Sequence, residues 1–181
     1  MGKTNYFFTF YFALIFSVGA LSVASADISE KDVQEINQYR LTEKAMGQFG
    51  QSTKNLIELS QTKPDIFKDA RKNKIAEEDF AGLIDAYEKI PGVKNAIEKS
   101  GMSVHDYVYF EFAMVYGETG NLVLKSGGTL PEGFSKENVA FYRSHEADFK
   151  KLVADLKTFG DFAKGKSSDS SEDDEETDDE P

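Results

Sequence analysis

Few residues in this chain could do chemistry. Glu111 is the lone charge in the run Tyr-Val-Tyr-Phe-Glu-Phe-Ala-Met-Val-Tyr from Tyr107 to Tyr116. A carboxylate among apolar neighbours needs a partner or shifts its pKa upward. Glu111 therefore reads as an acid/base group or ligand anchor, or as half of a structural pair with Arg143, His145 or a lysine. Glu118 and Asn121 follow seven and ten residues later, near the same face of a helix. His145 lies on an apolar stripe, with Phe141 and Tyr142 one turn before it and Phe149 one turn after. Its imidazole is either a ligand or proton-handling group in a pocket, or a histidine satisfied within the fold at a helix joint near Ser144. A shared polar pocket would lie where Glu111, Glu118 and Asn121 meet His145. Tyr107 belongs to an aromatic group with Tyr109, Phe110, Phe112 and Tyr116. That group would line a cavity for an apolar or flat ligand, form a sticky stripe for a second helix, or simply fill a core.

Other chemistries are excluded or poorly supported. The chain has no Cys, which removes disulfides, thiolate zinc sites, iron–sulfur clusters, c-type haem attachment and a cysteine nucleophile. His105 falls in the first turn of a helix, where a protonated imidazole opposes the macrodipole, and reads as a surface residue. Two histidines 40 residues apart make no transition-metal signature. The methionines are too scattered to argue for copper(I). No Gly-x-Ser-x-Gly, Walker-type loop or Gly-x-Gly-x-x-Gly occurs. No cofactor and no resident metal are expected. A net charge of -11 opposes a nucleic-acid surface and adhesion to anionic lipid.

The elements that must position these residues are helical. Phe80, Leu83, Ile84 and Tyr87 follow a 3.6-residue period, as do Phe149, Leu152, Val153, Leu156, Phe159 and Ala163. Thr42, Ser103 and Ser135 are placed to cap helices opening at Glu43, Val104 and Lys136. Pro91-Gly92 separates helices over about 79–90 and 92–99, while Gly101 and Gly127-Gly128 stop others. Tyr107 to Tyr116 is rich in strand-forming residues. The run from Ser103 to Gly127 is nevertheless too long for one strand and has only Gly117 and Gly120 as breakers. An all-round apolar helix belongs at the centre. The expected fold is all-α: one bundle of five or six helices around a central helix at about 104–126. Ile36 to Leu41 is expected to be extended, and the pattern assigns nothing firmly to residues 62 to 77.

Both ends differ from this body. Residues 1–26 have one Lys, no acid, an 18-residue apolar run from Tyr6 to Val23, and Ala24-Ser25-Ala26 before Asp27. This pattern is that of a secretory signal peptide cleaved after Ala26, the alternative being a retained membrane anchor. Ser167 to Pro181 holds nine acidic residues and no basic one, so it reads as a disordered tail. Such a tail could bind divalent cations weakly, engage a basic partner, or only solubilise. Between them, 27–166 forms one domain with 20 basic and 23 acidic residues, a net of -3.

The run Gly127-Gly128-Thr129-Leu130-Pro131, then Ser135, Asn138-Val139-Ala140-Phe141 and His145, is preceded by Pro91-Gly92-Val93 and Lys99-Ser100-Gly101-Met102-Ser103. Over roughly residues 79–149 this pattern resembles a signature of small exported bacterial helical proteins of unknown function. The resemblance implies an all-helical exported domain and no particular activity. The absence of any Asn-x-Ser/Thr sequence agrees with a bacterial setting. The resulting expectation is a periplasmic or extracellular non-enzymatic domain. It would bind a small-molecule or protein partner, with no nucleic acid and no stable membrane anchor after cleavage. Two alternatives stand beside it: an enzyme using Glu111 and His145 as an acid/base pair, and an envelope scaffold or cation binder acting through its tail.

Overall fold

The computed structural model describes residues 29–72 and 80–164. The expected signal peptide and acidic tail lie outside these residues. The described segments form helices only. These are α1 Glu30–Gln38, α2 Glu43–Thr62, α3 Pro64–Lys72, α4 Phe80–Lys89, α5 Val93–Glu98, α6 Val104–Lys125, α7 Lys136–Ser144 and α8 Glu146–Ala163.

Local chemistry explains most boundaries. Thr42 accepts from Ala45 N, Ser103 from Asp106 N and Ser135 from Asn138 N, each satisfying an amide that the first helical turn leaves open. Ser29 and Asp32 complete a reciprocal capping box that starts α1. α3 opens with proline at its first position, where the missing N–H costs nothing. Pro91-Gly92 breaks the chain between α4 and α5, with Gly92 at φ 86.

Two corrections to the sequence pattern follow. The expected five or six helices become eight among the described residues, because α1 and α3 join those the periodicity reveals. Ile36 to Gln38 is helical rather than extended, and only Tyr39 to Leu41 runs outside helix ahead of Thr42. The Ser29 capping box and the complete burial of Ile36 hold α1 through Gln38.

α6 is the central helix, packing against α1, α2, α4, α5 and α7. Its residues 107–110 and 112–117 are all buried, as an all-round apolar helix requires. Phe49 of α2 stacks on both Tyr107 and Phe110 with ring centroids 4.6 Å apart, and Phe149 of α8 stacks on Tyr142 at 4.7 Å. α2 lies along α8 and also holds α5 through polar side chains. Ser52 Oγ donates to Ile97 O, Asn55 Nδ2 to Ala96 O, and Gln48 Nε2 to Gly101 O. Ala96 O finds its partner in this way, while Ile97 O, which already accepts from Ser100 N, gains a further donor.

Candidate functional site

The five candidate residues occupy three different environments. Tyr107 faces α2, fully buried, and its hydroxyl lies 3.3 Å from Thr53 Oγ1. Burial, then the Glu111 charge, push its phenol far above the usual tyrosine range. Glu111, one turn on, is half-buried and acts electrostatically on Tyr107. The aromatic group Tyr107, Tyr109, Phe110, Phe112 and Tyr116 is core: none of its members is more than 6% exposed.

Further along α6 the surroundings change. A Cβ at Gly120 would lie 2.5 Å from Val139 Cγ2 and 2.8 Å from Leu130 Cδ1, and one at Gly117 would lie 3.3 Å from Asn138 O. These two glycines notch α6 so that α7 and the preceding loop press onto it. On this seam Glu118 shares a hydrogen bond with Tyr142. Burial raises the Glu118 pKa above 4.5 despite that bond; Glu146 adds to the rise and Lys150 opposes it. The Tyr142 phenol is pushed up as well, by burial first and then by Glu118.

Glu146, at the start of α8, has the opposite environment. Lys125 Nζ lies 2.7 Å from one of its oxygens and Lys150 Nζ lies 3.1 Å from the other. These lysines hold its pKa down to about 2. Asn121 is 2% exposed, and its Oδ1 accepts from Arg143 Nε at 3.1 Å. The structure thus gathers Glu118 and Asn121 of α6 with Tyr142 and Arg143 of α7 and Glu146 and Lys150 of α8.

His145 stands at the joint of α7 and α8, ending one helix and starting the next at φ -120, ψ 24. Its Nδ1 lies 3.0 Å from Phe141 O and 2.9 Å from Ser144 Oγ, and its ring stacks on Phe141 at 4.2 Å. Nε2 lies 3.6 Å from Glu43 Oε1, a carboxylate that is largely in water. These contacts secure a bend and tie it to the start of α2. The groups acting on Glu118 are Tyr142, Glu146 and Lys150, with no imidazole among them.

Several positions of the Gly127 to His145 run have structural tasks. Gly127 adopts φ 80 after α6, and Gly128 N donates to Val123 O. Ser135 caps α7, and Val139 packs over Gly120. Asn138 uses both ends of its amide: Nδ2 donates to Tyr39 O at 2.7 Å, and Oδ1 accepts from Leu41 N at 3.0 Å. It holds the connection between α1 and α2 as a neighbouring strand would.

Tyr142, Glu146, Lys125 and Lys150 were not evident as site residues from spacing. Glu146 and Lys150 stand four apart on one helix and are a legible pair. Lys125 joins them from 21 residues away, which no local pattern reveals. Arg143 was a natural partner for Glu111 by charge, yet its Nε finds a neutral amide. Among the described residues no group of three or more His, Asp or Glu side chains is placed to hold a metal ion, and no helix is long and apolar enough to cross a membrane. No family model matches the chain, and neither does any curated protein or solved structure.

Proposed function

We propose that the chain is exported, is trimmed after Ala26, and acts as a non-enzymatic binding domain that takes its ligand or partner on the polar face of α6, α7 and α8. One observation carries this reading. Glu118 is a half-buried carboxyl whose ionised form is disfavoured, beside Tyr142 and the Lys125–Glu146–Lys150 chain. Groups perturbed by burial and specific neighbours concentrate at functional sites. The aromatic core supports the same placement, because its rings pack on one another and favour a site on the seam over one inside the bundle.

A thermal-shift screen tests the binding role. A ligand at a hundred times its Kd stabilises by about 2.7 kcal/mol, a rise of several degrees in Tm. Hits should weaken in Glu118→Ala. Silence across metals, organic acids, amines and apolar ligands, from a strictly monomeric protein, defeats the proposal. Export is tested separately by intact mass of the secreted chain, which should begin at Asp27.

A further inference from the structure

We infer that Arg143, held in place by the buried Asn121, forms a subsite on the α6–α7 seam for a ligand carboxylate. The subsite lies on the proposed binding face and depends on that reading, while naming what the face recognises. The buried polar side chains differ in how they are satisfied. Among the described residues these are Ser52, Thr53, Ser60, Asn121 and Asn138. Ser52, Thr53 and Ser60 donate to Ile97 O, Phe49 O and Ile57 O, and Asn138 uses both its donor and its acceptor. Asn121 differs: Oδ1 is taken by Arg143 Nε, and Nδ2 hydrogen-bonds no other described residue. The assignment of the two amide atoms follows from Arg143, since its Nε–H requires an acceptor.

A buried amide donor left open is costly, and the oxygen of the same amide already holds the guanidinium. With Nε on Asn121 Oδ1, the remaining Arg143 N–H groups belong to a residue that is exposed as a whole. A carboxylate can accept from that planar fork, and its second oxygen can take the Asn121 Nδ2 donor. Nearby negative charge is muted. Glu146, three residues after Arg143, is paired with two lysines, and Glu118, three residues before Asn121, shares its hydrogen bond with Tyr142. Neither the chemistry of Asn138 nor that of the serines offers a comparable opening.

The test is a titration of the full mature chain with sodium succinate, followed by 1H–15N spectra of Arg143 Nε–H and the Asn121 side-chain amide. Sodium chloride at matched ionic strength controls for screening. Succinate should shift both signals saturably, and chloride should not. Asn121→Asp keeps the acceptor for Arg143 Nε but removes the donor, and Arg143→Lys keeps the charge but removes the fork. Each should weaken succinate by about tenfold or more. Unsaturable shifts, equal shifts with chloride, or affinity unchanged in Arg143→Lys overturn the subsite. Inorganic phosphate binding more tightly than succinate overturns the planar-carboxylate assignment. Ligands from the thermal screen that depend on Glu118 while leaving Asn121 and Arg143 unshifted sink the subsite and keep the binding face. Failure of both experiments sinks the face itself.

Discussion

Along α6, residues Val104 to Phe112 and residues Tyr116 to Lys125 meet the rest of the molecule differently. In the first stretch, rings lie on rings: Phe49 is stacked between Tyr107 and Phe110, and Tyr107 buries its hydroxyl against Thr53. In the second, two glycines bring α7 close, and the neighbouring positions carry Glu118, Asn121 and Lys125. The first half stabilises the bundle by removing large apolar surfaces from water. The second holds α7 and α8 in place while leaving charged groups part-way to solvent. One helix thus supplies both a rigid spine and a surface on which recognition can be built.

The most direct way to break this contrast is to cut into the spine. Phe49→Ala removes a fully buried ring that stacks on two others, and should cost about 3–5 kcal/mol. Glu118→Gln on the polar half should cost less than about 1 kcal/mol. Urea midpoints measure both. Equal losses would mean that the two halves contribute alike. Asn138→Ala comes next, because it strands Tyr39 O and Leu41 N, and about 2–3 kcal/mol should be lost. Amide exchange should then quicken in α1 ahead of α6.

A smaller effect is expected at the notch. Gly120→Ala gains up to about 1 kcal/mol of helix propensity but drives its methyl onto Val139 and Leu130. Overpacking costs of about 1–3 kcal/mol should outweigh the gain. The diagnostic is a shift in the α7 and α8 amide signals while those of α2 and α5 stay put. A stabilised Gly120→Ala protein with unchanged spectra would show that the close approach is not required.

The sequence made the spine readable because its causes are local. Ser103, Gly127 and the apolar run between them bound α6 almost to the residue. α1 was harder to see: its helical tail at Ile36 to Gln38 depends on a cap at Ser29 and on burial against distant elements. Of the candidate site, Glu118 and Asn121 stand three residues apart on α6, so their nearness is a matter of helical spacing. Their partners were not readable, because Tyr142, Arg143 and Glu146 reach them through a helix crossing set by Gly117 and Gly120. His145 shows the limit of periodicity. Its spacing fits one continuous stripe from Phe141 to Leu152, yet the backbone bends at His145 itself and the ring bonds back to Phe141 O.

The finest comparison is within the polar half, where two carboxylates titrate with opposite sign. Glu118 is raised above 4.5, chiefly by burial, so folding favours its protonated form. Its contribution is complete below 4.5 and disappears as the pH rises through the folded value. Glu146 is lowered from 4.5 to about 2 by Lys125 and Lys150, so its contribution is present above 4.5 and is lost as the pH falls toward 2. Urea midpoints across this range should therefore lose their decline above 4.5 in Glu118→Gln, and part of their acid limb in Glu146→Gln. Salt separates the causes further. The Glu146 effect arises from exposed lysines and should shrink at high ionic strength, whereas the Glu118 effect arises from burial and should persist. A Glu118→Gln protein with the wild-type slope above 4.5 would remove the evidence that this carboxyl is poised differently from its neighbours. The proposed binding face would lose its main support with it.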